Sequence, residues 1–278
     1  MAKTAVQREL KTVGVVGAGR MGTPIIGHLV RKGFATQVFD LDAARGGAVK
    51  GLGAKWAGSA EALSAESDAI LICVGFDREV QELLAKGGPL RKAKPGTIVA
   101  ILSTIHPKTV QNLAKECESA GLHVVDSTVC RGGEAADSGT LLSFVGGSAE
   151  LVARLTPVLR AYSSDVVHTG GVGTAQVAKA ANNLILWACL VADHEGLALA
   201  QHYGADVEAL RSALLMSSCA NGPLEKWGSQ TMAWAEDDMA IVAEMAAEAG
   251  IALPQARVNR EICRALKPRR YKLEVYGR

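Results

Sequence analysis

Between residues 12 and 147, short apolar runs alternate with longer stretches in which apolar side chains recur every three or four positions. The runs are TVGVVG (12–17), TQVFD (36–40), AILICV (69–74), TIVAIL (97–102), HVVD (123–126) and LLSFVGG (141–147). They are largely apolar throughout rather than alternating with polar residues, as expected of strands covered on both faces. The stretches at 21–32, 77–86, 107–120 and 149–162 are predicted helices. Strand and helix in turn predict an α/β fold with a doubly wound, mostly parallel sheet. The rhythm breaks near residue 170. GGVGT (170–174) opens about 30 residues free of proline, predicted as one long helix from about 174 to 204. Helical stretches follow at 207–216, 235–249 and 255–266, separated by Asn221-Gly222-Pro223 and by Gly250 with Pro254. The boundary is drawn after residue 169: an α/β domain over 1–169, then an all-helical domain over 170–278 that includes the long interdomain helix. Residues 1–11 are polar and read as a loose extension.

Composition narrows the classes. With 278 residues and 49% hydrophobic side chains the chain can bury a full core, which excludes disorder. The formal net charge is only +2, so no nucleic-acid partner and no anionic membrane surface are expected. The one basic cluster, Lys267, Arg269, Arg270 and Lys272, reads as solvated. Six cysteines stand without C-x-x-C or Cys/His spacing, so no metal is expected. No leader pattern opens the chain and no run of about 18 wholly apolar residues occurs, which points to the reducing cytoplasm.

VGVVGAGRMG places Gly17, Gly19 and Gly22 as G-x-G-x-x-G, directly after the first predicted strand and at the start of the first predicted helix. A strand-to-helix turn needs the first glycine, approach of a pyrophosphate the second, and close helix packing the third. Asp40 ends the second strand, 18 residues past Gly22, where a carboxylate accepts the hydroxyls of an adenosine ribose and repels a 2′-phosphate. A Rossmann-type domain is therefore expected to bind NAD in preference to NADP, with Gly17, Ala18, Gly19, Arg20, Met21, Gly22 and Asp40 as cofactor residues. Arg45, five residues on, is near enough to turn toward a phosphate, which keeps NADP as the second choice.

The long helix carries Gln176, Lys179 and Asn183 at i, i+3 and i+7, with Asn182 beside them, in otherwise apolar surroundings. Two readings stand: Lys179 extends to solvent while the asparagines satisfy a helix crossing, or the row is chemical. Four motifs favour chemistry. VGVVGAGRMG, DSTVCRGGEAADSGTLLSFVGG (126–147), GGVGTAQVAKAANN (170–183) and EDDMAIVAEMAAEAGIALP (236–254) together resemble the β-hydroxyacid dehydrogenase family. That family includes 3-hydroxyisobutyrate dehydrogenase and tartronate semialdehyde reductase, and has relatives like 6-phosphogluconate dehydrogenase. The resemblance implies hydride transfer between nicotinamide and a small carboxylate-bearing β-hydroxy acid, or its oxo acid or semialdehyde. It implies Lys179 as acid/base, Asn183 positioning the substrate or Lys179, Ser103 and Thr104 beside the nicotinamide, and Cys73 and Val74 along the cofactor channel. Cys130, Arg131, Gly132 and Asn182 become the substrate contacts, and a homodimer or homotetramer is implied. An amine serves such chemistry in both directions when burial or a nearby positive charge brings its pKa toward neutrality.

The chain departs from the family in two places. Cys130-Arg131-Gly132 stands where Ser-Gly-Gly is usual, so a weak thiol donor replaces a hydroxyl and a guanidinium offers a carboxylate clamp. Asp237 stands where the family has a lysine. The alternatives are an imine reductase of the same architecture, against which Lys179 argues, and a catalytically idle NAD-binding regulator.

Overall fold

The apolar runs pair side by side into one sheet in the computed structural model, which describes residues 9–276. The strands are β1 (Thr12–Val16), β2 (Ala35–Phe39), β3 (Lys55–Trp56), β4 (Ala69–Ile72), β5 (Ile98–Ile101), β6 (His123–Asp126), β7 (Val129–Cys130), β8 (Leu141–Gly146) and β9 (Ser163–Gly170). Their order is β3-β2-β1-β4-β5-β6-β8-β7, with β9 also on β8. Six pairings are parallel; β6 and β7 run antiparallel to β8. Helices α1 (Gly22–Arg31), α2 (Gly46–Gly51), α3 (Ala60–Glu66), α4 (Asp77–Leu84), α5 (Pro107–Glu118), α6 (Gly132–Ser138) and α7 (Ala149–Leu159) connect them.

The continuous apolar runs are explained by two cores, one on each face. Leu71, Ile98 and Ala100 join a cluster with Ile25, Leu29 and Leu155. Their neighbours Ile70, Ile72, Val99 and Ile101 join a second cluster with Val80, Leu84 and Val110. Successive side chains of a strand point to opposite faces, so a strand sandwiched by helices needs an apolar residue at every position. The expected doubly wound sheet is present, with more elements than anticipated. β3 and β7 have two residues each, too few for a pattern. β9 is polar (SSDVVHTG) and mostly uncovered, as an edge strand with one partner permits. The first eight residues of the expected N-terminal extension lie outside the described residues.

The chain separates into two compact units after Lys179. The long helix, α8 (Thr174–His202), is one element of 29 residues. It is followed by α9 (Val207–Leu214), α10 (Gly222–Glu225), α11 (Ala235–Ala249) and α12 (Pro254–Leu266). The second unit packs Trp187, Leu190 and Val191 of α8 against Met239, Val242, Cys263 and Leu266. Trp187 Nε1 donates to Asp238 Oδ2 at 2.9 Å. Asp237 is exposed in the first turn of α11 between Glu236 and Asp238, where negative charge suits the helix N-terminus. Among the described residues, α8 is the one helix whose length and composition would suffice to cross a membrane. However, Trp187, Leu190 and Val191 are built into the core of the second unit, and the helix carries Lys179, Asp193 and Glu195.

Candidate active site

The turn after β1 is built by glycine for a steric reason. Gly17 has φ +100°, and a Cβ there would lie 2.3 Å from the Cys73 carbonyl oxygen. A Cβ on Gly22 would lie 2.0 Å from the Gly17 carbonyl oxygen, so the start of α1 presses on the turn. Gly19 is different: a Cβ would meet only the Arg45 guanidinium, at 3.2 Å. Its outer side therefore offers the bare backbone that a pyrophosphate needs. This turn sits at the ends of β1 and β4, where the sheet reverses its winding direction. Met21, at the turn, packs against the first core. The residues fit a dinucleotide.

Asp40 stands beside this turn and is held there. Its Oδ2 accepts from the Ala18 N–H at 2.7 Å, and its Oδ1 from the Asp42 N–H at 2.8 Å. Arg45 Nη1 also reaches Oδ2, at 3.2 Å. Arg20 extends to α6 and pairs with both carboxylate oxygens of Asp137, at 2.7 and 2.6 Å. That guanidinium holds the Asp137 carboxyl below the usual carboxylate range. Ala18, Gly19, Arg20, Arg31 and Arg45 line a groove of about 560 Å³ on this side of the turn.

The ends of β4 and β5 are tied together. Ser103 Oγ donates to the Val74 carbonyl at 2.9 Å and accepts from the Val74 N–H at 3.1 Å. Ser103 is thus a buried brace, with Thr104 half-buried beside it. Burial pushes the Cys73 thiol up to about 12, so it stays protonated.

Lys179 does not extend into solvent. Its half-buried side chain turns toward β7, where Nζ donates to the Val129 carbonyl at 2.8 Å. Cys130 Sγ lies 3.9 Å from the same nitrogen, a weak contact. The structure thus joins two sequence-predicted residues, Lys179 and Cys130. Asn183, four residues on along α8, is buried and accepts from Asn182 Nδ2 at 3.0 Å.

Arg131 was expected to clamp a carboxylate of the substrate, but its Nη1 is engaged by the chain itself. It donates to Asp165 Oδ2 at 2.7 Å, Ser164 Oγ at 2.8 Å and the Thr140 carbonyl at 3.1 Å. Arg131 also has φ +84°, followed by Gly132 at φ +77°. A side chain in this left-handed region is unfavourable by about 1–2 kcal/mol. The ion pair to β9 anchors it there.

Sequence reasoning assigned no role to Asp126 or to Thr128, which stands where the family usually has proline. Asp126 is buried, and its oxygens accept from the N–H groups of Gly173 at 2.7 Å and Gln176 at 3.0 Å, at the start of α8. Burial raises its carboxyl above the usual range, and those two N–H groups counter the rise. Thr128 Oγ1 donates to the Ala175 carbonyl at 3.0 Å. Their signal was a polar D-S-T run at the end of a strand in a doubly covered sheet.

Residues 12–171 match the family model described as the NAD binding domain of 6-phosphogluconate dehydrogenase, and residues 173–272 that described as NAD-binding of NADP-dependent 3-hydroxyisobutyrate dehydrogenase. The chain belongs to the β-hydroxyacid dehydrogenase family. Among its relatives, the 3-hydroxyisobutyrate dehydrogenase of Pseudomonas aeruginosa is 33% identical over 76% of this chain and 72% of its own. The NAD-dependent L-serine dehydrogenase of the same organism is 31% identical over 78% of this chain and 73% of its own. The fold is shared with a solved 3-hydroxyisobutyrate dehydrogenase of Mycobacterium tuberculosis, with a TM-score of 0.86 at 23% identity, covering 93% of this chain and 94% of that one. The protein is a nicotinamide-dinucleotide-dependent oxidoreductase of the β-hydroxyacid dehydrogenase type.

Proposed function

We propose that the enzyme oxidises a small β-hydroxy acid, or reduces the matching oxo acid or semialdehyde, with Lys179 as acid/base. The observation that carries this reading is the direction of the Lys179 amine: it faces β7 (Val129–Cys130) and not solvent. The nicotinamide, when bound, supplies the hydride acceptor or donor. In the oxidative direction Lys179 Nζ takes the hydroxyl proton as the carbonyl forms. In reverse it returns that proton to the carbonyl oxygen and stabilises the developing alkoxide. Asn183 orients the substrate or the amine, with Asn182 beside it. Cys130 and the backbone at Arg131 and Gly132 meet the substrate carboxylate, and Arg131 serves by fixing their turn through Asp165. Ser103 and Thr104, with Cys73 and Val74, form the wall that faces the nicotinamide. The test is absorbance of reduced nicotinamide on mixing the protein with NAD and a panel of 3-hydroxyisobutyrate, L-serine and longer 3-hydroxy acids. Turnover on at least one is expected; cofactor binding with no turnover would leave only an idle nucleotide-binding protein.

NAD is the proposed cofactor over NADP, because Asp40 is anchored by two backbone N–H groups beside the turn. Asp40→Ala removes a negative charge beside the ribose position and one of the two carboxylates that Arg45 pairs with, Asp42 being the other, so kcat/KM for NADP relative to NAD is expected to rise by tenfold or more. A wild-type enzyme that already prefers NADP would overturn this assignment. The six free thiols suit a reducing compartment such as the cytoplasm. A homodimer or homotetramer is proposed through the outer face of α8, where Ile185 and Leu199 are each more than 60% exposed. Ile185→Asp is expected to lower the mass measured by light scattering to that of a monomer, and an unchanged mass would remove this face from the assembly.

A further inference from the structure

Gln176 was conspicuous in the polar row of α8, yet the chemistry proposed above leaves it without a role. It is 1% exposed. Its Oε1 accepts from the Ile105 N–H at 3.0 Å, while its Nε2 donates to the Ser103 carbonyl at 2.8 Å. Both ends of one side-chain amide thus close on the backbone of residues 103–105, and only one orientation of the amide satisfies both. The backbone N–H of the same residue is bound by Asp126, and the preceding carbonyl, that of Ala175, by Thr128. The first turn of α8 is therefore gripped by the segment after β5 on one side and by the stretch from the end of β6 into β7 on the other. Lys179 is the next residue along that face, three positions on, and its amine reaches Val129 in the second of those segments.

We infer that Gln176 is a positioning residue: it fixes the first turn of α8 against residues 103–105 so that the Lys179 amine is held at a set distance from the wall facing the nicotinamide. The inference rests on the acid/base reading of Lys179. A leucine or methionine would fill the same volume but would leave a buried N–H and a buried carbonyl unpaired and the helix turn free to shift. Proton and hydride transfer must be aligned together, and displacement of a reacting group by about 1 Å costs up to roughly a hundredfold in rate.

The test is a double-mutant cycle in the intact enzyme, with NAD and 3-hydroxyisobutyrate or L-serine, whichever turns over faster. Gln176→Met keeps the length of the side chain without its amide. Gln176→Glu keeps the acceptor and replaces the donor, and carries the same cycle if the methionine variant does not fold. Either change is expected to lower kcat about 30-fold while KM moves less than threefold. In a Lys179→Met background, followed by single turnover with enzyme in excess, the same change is expected to alter the residual rate by less than threefold. An equal loss in both backgrounds would make Gln176 a structural group that acts independently of Lys179 and overturn the inference, as would a kcat within twofold of wild type. Loss of activity in Lys179→Met is read separately: its failure would sink the acid/base assignment, whereas absence of coupling sinks only the role of Gln176.

Discussion

Lys179→Met is expected to lower kcat by about a thousandfold while leaving the affinity for NADH, read by nucleotide fluorescence, within threefold of wild type. General acid–base catalysis is worth about 10²–10⁴ in rate, and methionine has no group that exchanges a proton. The substitution is mild for the fold. Methionine keeps the length of the lysine stem, and what is removed is the hydrogen bond to the Val129 carbonyl, worth about 1 kcal/mol, together with the weak contact to Cys130 Sγ. A small change in melting temperature with a large loss in kcat is the signature of a chemical role. A loss smaller than tenfold would mean that the proton travels by another group, and the acid/base assignment would fall. The conservative Lys179→Arg is also expected to fail, because a guanidinium does not give up its proton in this pH range.

How far the sequence revealed this arrangement depends on what each feature needs. The large elements were legible because burial on both faces forces an unbroken apolar run, as in Ile70–Leu71–Ile72 and Ile98–Val99–Ala100. α8 was legible from a long stretch without proline or turn signals. β7 was not, since Val129–Cys130 is a two-residue strand whose existence depends on pairing with Leu142 and Ser143. The glycine turn and Asp40 could be placed because their spacing is local. The ion pair of Arg131 was not legible because its partner, Asp165, is 34 residues away on an edge strand whose polar residues gave no strand pattern. Gln176 was visible as an anomaly in an apolar helix, but its function depends on Ser103 and Ile105, more than 70 residues distant, which only the fold brings to it.

Gly17→Ala is expected to weaken NADH binding at least a hundredfold and to destabilise the first unit by about 3 kcal/mol or more. Two costs combine at this position. The backbone at φ +100° disfavours any side chain, and the new Cβ would lie 2.3 Å from a carbonyl oxygen and 2.8 Å from the carbonyl carbon of Cys73. Those atoms are backbone at the end of β4, where Cys73 N–H is bonded to the Val16 carbonyl at 2.8 Å, so they cannot move aside without opening the sheet. Gly33→Ala separates the two costs. Gly33 has φ +88° but nothing within 4 Å of its Cβ position, so it carries the backbone penalty alone. That penalty is about 1–2 kcal/mol in urea unfolding, with NADH affinity unchanged. Because α1 rests on the Gly17 carbonyl through Gly22, the clash at Gly17 displaces the helix N-terminus as well as the turn, and binding suffers along with stability. If Gly17→Ala bound NADH within threefold of wild type, this turn would not be the pyrophosphate cradle, and the cofactor would have to enter by another crevice of the sheet.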